Sequence, residues 1–299
     1  TGTQRRKIVI NGSELVKTLY SMKDAYAISK SFANSKKITI IGGGFIGCEI
    51  ASGARKLNKE VTLIEAGPSI LGRSVAPIFS KKIAQHHESQ GISILTNCKA
   101  TSINSNEVKT NLKNISTDLA IAGIGVIPNI RLASQAKLDI DNGIVVNKYL
   151  QTTNKNIFAI GDIANFPFNS ETGRLRLESI QNANDQAKIV ANNIIAIRIK
   201  KELLKYSPIP WFWSDQGDLK LQMAGIGNLH AKHHILQNQE KGTLTVLHFV
   251  NDQLVALDTM NHGLNHIYGR KLLSSNQIIS LDEINKFDGN LKSLVSHLN

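Results

Sequence analysis

The segment that most constrains this chain is Lys37-Ile38-Thr39-Ile40-Ile41-Gly42-Gly43-Gly44-Phe45-Ile46-Gly47-Cys48-Glu49, a short apolar run entering a G-x-G-x-x-G turn. Gly42 permits a tight turn, Gly44 lets the backbone approach a pyrophosphate, and Gly47 lets the following helix lie close on a sheet. The helix then aims its N-terminal amides at the phosphates. A second apolar run, Val61-Thr62-Leu63-Ile64-Glu65, ends on an acid about twenty residues after the glycines. A carboxylate there accepts hydrogen bonds from both hydroxyls of an adenosine ribose, whereas a 2′-phosphate would meet a like charge. NADH is therefore expected over NADPH. Strand, glycines, helix and acid coincide, which a chance glycine turn does not explain.

At 299 residues and 41% hydrophobic content, the chain is a globular protein long enough for two domains or a two-part fold. The apolar stretch Ile189 to Ile199 is broken by Asn192, Asn193 and Arg198, short of the roughly 20 residues a membrane span needs. The opening Thr1-Gly2-Thr3-Gln4-Arg5-Arg6 lacks both an initiating Met and the apolar core of a signal peptide. It suggests a processed chain or a fragment. Cys48 and Cys98 are the only cysteines. They form neither a disulfide framework nor a C-x-x-C pair, and are expected as small buried residues in a reducing, cytoplasmic setting. The formal charge of +12 comes from lysines scattered in pairs such as Lys36-Lys37, Lys81-Lys82 and Lys200-Lys201. Without a basic run or an aromatic-interleaved patch, this favours solvated faces or an acidic protein partner over nucleic acid.

Strand and helix patterns alternate. A helix over Ser21 to Phe32 leads into the strand Ile38 to Ile41; then follow strand Val61 to Glu65, a helix from Pro77 to Gln90, strand Ile92 to Leu95, strands Thr101 to Ile103 and Val108 to Leu112, and strand Leu119 to Ile124. Residues 8–125 thus read as an NAD-binding, Rossmann-like α/β domain. Between 126 and 208, strands Ile144 to Val146 and Ile157 to Ile160, the loop Gly161-Asp162-Ile163-Ala164 and a helix from Asn182 to Leu204 make too few strands to close a sheet. This segment reads as half of a domain. After Pro208 and Pro210, residues 209–299 read as a small α+β module with strands Leu219 to Ala224, Thr243 to Val250 and Leu254 to Met260, ending in one or two helices.

Gly42 to Gly47, Gly123-Ile124-Gly125-Val126-Ile127-Pro128-Asn129, Gly161-Asp162, Arg176-Leu177-Glu178-Ser179-Ile180-Gln181-Asn182-Ala183 and Trp211-Phe212-Trp213-Ser214-Asp215-Gln216 follow Thr1-Gly2 in this order. In this the chain resembles the FAD-dependent, NADH-using ferredoxin reductases of the rubredoxin and putidaredoxin type. The resemblance implies a two-dinucleotide-domain, glutathione-reductase-like fold. Its NAD domain is inserted into an FAD domain made of residues 1–7 and 126–208, and residues 209–299 form a C-terminal interface domain. It implies that Gly42, Gly44, Gly47, Glu65 and Gly125 bind NAD, and that Arg6, Asp162, Ile180 and Gln181 bind FAD. Asp162 has a second reading as a helix cap. Arg5 stands where the family usually has Pro. Trp213 falls where the family places an indole over the nicotinamide and flavin region, with a domain-junction core residue as the other reading. Glu49 matches a glutamate that in relatives lies near the flavin and pairs with a lysine of the first FAD segment. Relatives open with a further βαβ unit carrying the FAD pyrophosphate glycines, and the resemblance begins after it.

By this likeness, a hydride passes from NADH to FAD and single electrons pass to a small acidic iron–sulfur protein, a ferredoxin or rubredoxin. A non-catalytic NAD-binding interaction module that has lost FAD is the alternative. Disulfide reduction is excluded by the lack of a cysteine pair. His86-His87 and His233-His234 lack metal-ligand spacing and read as surface residues.

Overall fold

Ile38, Ile40, Ile41, Val61, Leu63, Ile64, Leu119, Ala120, Ile121 and Ala122 are all buried, because strands apolar on both faces belong inside a parallel sheet covered on both sides. They build a five-stranded parallel sheet in the order Lys17–Thr18, Leu119–Ala122, Lys37–Ile41, Glu60–Ile64, Ile92–Leu95. The helices Phe45–Lys56 and Pro77–Ser89 pack on it. A three-stranded antiparallel sheet, Ala100–Ile103, Glu107–Thr110 and Asn114–Ser116, lies beside it and shares a core of Ile64, Cys98, Ile103, Val108 and Ile115. The computed structural model describes residues 2–168, 173–227, 231–275 and 277–298; Thr1 of the opening Thr1-Gly2 falls outside them.

The chain divides into two units. The larger contains residues 6–125 and 213–299, so the C-terminal module groups with the NAD-type domain. That module is a five-stranded sheet in the order Trp211–Gln216, Leu219–Gly225, Gln253–Met260, Thr243–Val250, Lys232–Asn238, followed by helices Gly263–Leu273, Leu281–Asn285 and Leu291–Leu298. Polar bonds join it to the parallel-sheet domain. The Ala76 amide donates to Asp258 Oδ2 (3.1 Å), which also meets His248 Nε2 (2.9 Å), and Lys56 Nζ donates to the Gly217 carbonyl (3.0 Å).

The smaller unit contains residues 1–5 and 126–212. Thr3–Arg5 and Val126–Pro128 form an antiparallel ribbon. Ile144–Val145, Ala164–Pro167 and Arg174–Leu175 form a three-stranded sheet. The 19-residue helix Ile180–Arg198 packs its Val190 into a core with Val146, Leu150, Ile163, Phe166 and Tyr206. Tyr206 lies edge-on to Phe166, ring centroids 5.1 Å apart, and its hydroxyl donates to Asn182 Oδ1 (3.0 Å).

Several boundaries differ from the sequence reading. The parallel strand after the glycine helix is Glu60–Ile64, which leaves Glu65 as the first loop residue. The last is Leu119–Ala122, because Gly123 turns away after donating to the Ile41 carbonyl. Ile157 to Ile160 is no strand; only the bridge between Gln151 and Phe158 remains. The long helix starts earlier and ends earlier, capped at Ser179, whose side chain accepts from the Asn182 amide. The strands Asn114–Ser116, Trp211–Gln216 and Lys232–Asn238 were not foreseen. The surface reading of His87 is wrong: it is 1% exposed, on the same helix face as Phe79, Ser80 and Ile83.

A Cβ on Gly47 would fall on the Gly42 carbonyl oxygen, and backbone cannot yield there. Gly47→Ala is expected to destabilise the larger unit by about 1–3 kcal/mol, read as an earlier unfolding transition in denaturant, whereas Gly53→Ala, which meets nothing within 4 Å, leaves it unchanged or raised.

Candidate functional site

The glycine turn is built by mutual close approach. Gly42 has φ +107° and an added Cβ would lie 2.6 Å from the Gly123 carbonyl oxygen, so only glycine fits. Gly44 is different: it is the N-cap of the Phe45–Lys56 helix with φ −78° and ψ −178°, and a Cβ there would meet nothing within 4 Å. The open space at this helix N-terminus is what a pyrophosphate requires. Glu65, just beyond its strand, turns its carboxylate back on the turn: Oε2 accepts from the Gly43 amide (2.7 Å) and Oε1 from the Gly67 amide (2.7 Å). Each oxygen keeps a further lone pair for a ribose hydroxyl. The residues present therefore fit a dinucleotide.

Glu49 lies one turn into the same helix, half-buried. Its Oε1 accepts from the Ser214 hydroxyl at 2.5 Å. Burial pushes the Glu49 carboxyl above the ordinary carboxylate range, the Ser214 hydroxyl draws it back, and neighbouring Asp215 adds to the upward push. The strand carrying Ser214 alternates, with Ser214 and Gln216 buried and Trp213 and Asp215 exposed. Trp213 is 42% exposed, so the indole presents a wide accessible surface rather than filling a core.

Arg6 and Gly125 are joined by backbone, the Arg6 amide donating to the Gly125 carbonyl (3.0 Å). Gly125 has φ +89°, and a Cβ there would meet nothing within 4 Å. Both belong to the larger unit, with Gly42, Gly44, Gly47, Glu49, Glu65 and Trp213.

Asp162, Ile180 and Gln181 lie in the smaller unit. Asp162 sits in a 3-10 turn opened by Gly161 (φ +73°), whose amide donates to Gln186 Oε1 (2.7 Å). Burial raises the Asp162 carboxyl, Glu178 raises it further, and Arg176 lowers it; Arg176 is shared with Glu178 (2.7 Å) and the Asp162 carbonyl (2.9 Å). Ile180, at the N-terminus of the long helix, is 65% exposed. Next to it Gln181 Oε1 is buried with no hydrogen-bond partner. The orphaned Gln181 oxygen awaits a donor, and the half-buried Asp162 carboxylate, which accepts from its own backbone, keeps acceptor capacity; a ribityl chain and flavin ring supply such donors, so these residues fit FAD.

The sequence reading gave no role to Ser52, His87, Ser214 and Gln216, which join Glu49 in one hydrogen-bonded chain. The i, i+4 repeat of Phe79, Ile83 and His87 was the available signal for His87. Among the described residues, no group of three His, Cys, Asp or Glu side chains is placed to hold a metal ion, and no helix is long and apolar enough to cross a membrane.

Cys48 and Cys98 are free and buried. Burial first, then Glu49 and Glu65, push the Cys48 thiol up to about 12. At pH 8 only about 1 in 10⁴ of such thiols is thiolate, the reactive form. The folded chain is expected to resist thiol-modifying reagents at pH 8 and to react at both cysteines once unfolded, as counted by thiol titration.

The pyridine nucleotide-disulphide oxidoreductase model matches residues 1–187, and the reductase C-terminal model matches residues 211–295. The chain is 33% identical to rhodocoxin reductase of Rhodococcus erythropolis over 99% of its own length and 70% of the relative's. It is 35% identical to a rubredoxin-NAD(+) reductase of Pseudomonas putida over 87% and 69%. Among solved structures, a ferredoxin reductase from Rhodopseudomonas palustris superposes with a TM-score of 0.91 at 30% identity, covering 99% of this chain and 74% of that one. The reductase in a covalent putidaredoxin reductase–putidaredoxin complex gives 0.90 at 29%, covering 99% and 73%. With a family model spanning most of the chain and relatives matched along two thirds of their length, the chain belongs to the FAD- and NAD-using pyridine nucleotide-disulphide oxidoreductases, in the group that carries a reductase C-terminal domain.

Proposed function

We propose that the chain is an NADH-dependent ferredoxin reductase: it takes a hydride from NADH and passes single electrons to a small acidic iron–sulfur protein of the ferredoxin or rubredoxin type. The observation that carries this reading is the nucleotide-ready glycine turn gripped by Glu65; within the smaller unit, taken by itself, Gln181 presents an orphaned acceptor. Two of the relatives above are named as reductases of rubredoxin and of putidaredoxin. FAD, when bound, accepts the hydride and releases its electrons one at a time.

The chain's own residues bind and orient. Gly42, Gly44 and Gly47 admit the NAD pyrophosphate, Glu65 receives the adenosine ribose, and Gly125 lines the nucleotide path. Asp162 and the Ile180–Gln181 corner of the smaller unit hold FAD, and Arg6, assigned to FAD by the family likeness alone, belongs to the larger unit. Trp213 offers a flat apolar surface that excludes water from the reacting rings, and Glu49 is a carboxyl available to hold or release a proton beside them. No nucleophile is needed. The sequence carries no C-x-x-C pair and its two cysteines are free and buried, so within this family the chain is assigned to direct electron transfer rather than disulfide chemistry. The +12 charge suits an acidic partner.

The absorbance spectrum of the chain, supplied with FAD, tests the reading: flavin bands that bleach on adding NADH are expected, and a protein that binds NADH yet never acquires flavin bands would leave only a nucleotide-binding module. Glu65 predicts the nucleotide preference. NADH is expected to bind at least roughly tenfold more tightly than NADPH, a difference of about 1.4 kcal/mol, and Glu65→Ala to narrow that gap while weakening NADH, measured by titration calorimetry. Equal affinities in the unaltered chain would refute the role given to Glu65.

A further inference from the structure

Behind Glu49 runs a line of polar side chains that the proposed reaction does not use. Ser214 Oγ donates to Glu49 Oε1 (2.5 Å), Gln216 Nε2 donates to Ser214 Oγ (3.1 Å), His87 Nε2 meets Gln216 Oε1 (2.8 Å), and Ser52 Oγ faces His87 Nδ1 (3.4 Å). Ser214, Gln216, His87 and Ser52 are 1%, 0%, 1% and 6% exposed. Water therefore does not compete, and each donor and acceptor must be matched within the protein.

That matching allows one direction only. An ionised carboxylate only accepts, so the single Ser214 proton points to Glu49. The Ser214 oxygen must then receive its second bond from the Gln216 amide nitrogen, which turns the amide oxygen toward His87. His87 Nε2 must therefore carry a proton, and Nδ1 is left as the acceptor facing Ser52. Burial lowers the pKa of His87, opposed by its bond to Gln216, with His86 lowering it and Asp218 raising it; the ring stays neutral at pH 7. Asp218 is itself occupied by His86 Nε2 (2.7 Å), and Lys56 holds the Gly217 carbonyl of the same turn (3.0 Å). On the Glu49 side the facing ionisable groups are Asp215 from the tryptophan strand and Cys48 from its own helix.

We propose that His87 is a positioning residue for Glu49: its Nε2–H tautomer, relayed through the Gln216 amide and the Ser214 hydroxyl, holds Glu49 Oε1 as an acceptor, so that a proton taken up by Glu49 resides on Oε2. The significance of Glu49 rests on the proposed function, but the relay does not. Because the strand alternates, the bonds that hold Ser214 and Gln216 inward also hold Trp213 outward, so one device sets both side chains.

The test uses the full chain labelled with ¹³C at glutamate carboxyls and ¹⁵N in histidine rings, with Glu49 assigned by Glu49→Gln. Imidazole NMR of the unaltered protein should show His87 neutral with the proton on Nε2 at pH 7; a protonated ring or an Nδ1–H tautomer overturns the proposal without any variant. Ser214→Ala should move the Glu49 titration upward by roughly one pH unit, as expected when a carboxylate loses a hydrogen bond. Gln216→Leu and His87→Leu should move it in the same direction, and His87→Gln, which keeps an N–H donor near the Nε2 position, should restore it. A Glu49 titration unchanged in Gln216→Leu and His87→Leu, with NADH affinity retained as proof of folding, overturns the positioning role. Failure of flavin bands to bleach with NADH in the unaltered chain would sink the reductase reading instead and leave these titrations standing.

Discussion

Three glycines pack backbone on backbone, and the rest of the larger unit depends on that contact. A Cβ on Gly47 would strike the Gly42 carbonyl, one on Gly42 would lie 2.6 Å from the Gly123 carbonyl oxygen, and one on Gly123 would lie 3.2 Å from the Gly47 amide nitrogen. The strand Lys37–Ile41, the helix after it and the strand Leu119–Ala122 of the parallel sheet are thereby brought closer than side chains allow. This fixes where the helix starts, and hence which way Glu49 points one turn later. It also brings Gly43 within reach of Glu65.

Glu65 shows how one carboxylate serves structure and binding together. Its two oxygens satisfy the amides of Gly43 and Gly67, which would otherwise be unpaired donors in a loop that carries no secondary structure. Held at both oxygens, the side chain cannot swing away, so its remaining lone pairs are pre-aimed for a ribose. Preorganisation of this kind spares the ordering cost that a free side chain would incur on binding.

Much of this was legible in the sequence. The glycine spacing and the acid ending the next apolar run located the turn, and the alternation of strand and helix patterns pointed to a Rossmann-like α/β domain. What the sequence concealed has a common cause. Gly123 reads as the continuation of the strand Leu119 to Ile124, and its contact with Gly47 emerges only once the sheet is formed. Ser214 and Gln216 stand in the Trp-Phe-Trp-Ser-Asp-Gln motif, whose inward positions appear only when strand pairing makes them alternate. His87 reads as half of an exposed pair, but adjacent residues on a helix point about 100° apart; His86 reaches Asp218 near the surface while His87 enters the core. Each depends on a partner more than thirty positions away, which no local pattern reports.

The two half-buried carboxyls illustrate what local environment decides. Glu49 and Asp162 are both raised by burial, but they are answered differently. Glu49 receives a hydroxyl that donates a full hydrogen bond, so it retains a defined rotamer and one committed oxygen. Asp162 has Arg176 nearby, yet that guanidinium is spent on Glu178 and on a backbone carbonyl. The Asp162 side chain therefore retains acceptor capacity, beside a helix N-terminus that also holds the unpartnered Gln181 oxygen. Glu49 is the carboxyl already organised within the protein, and Asp162 is the one whose hydrogen bonding a ligand would complete.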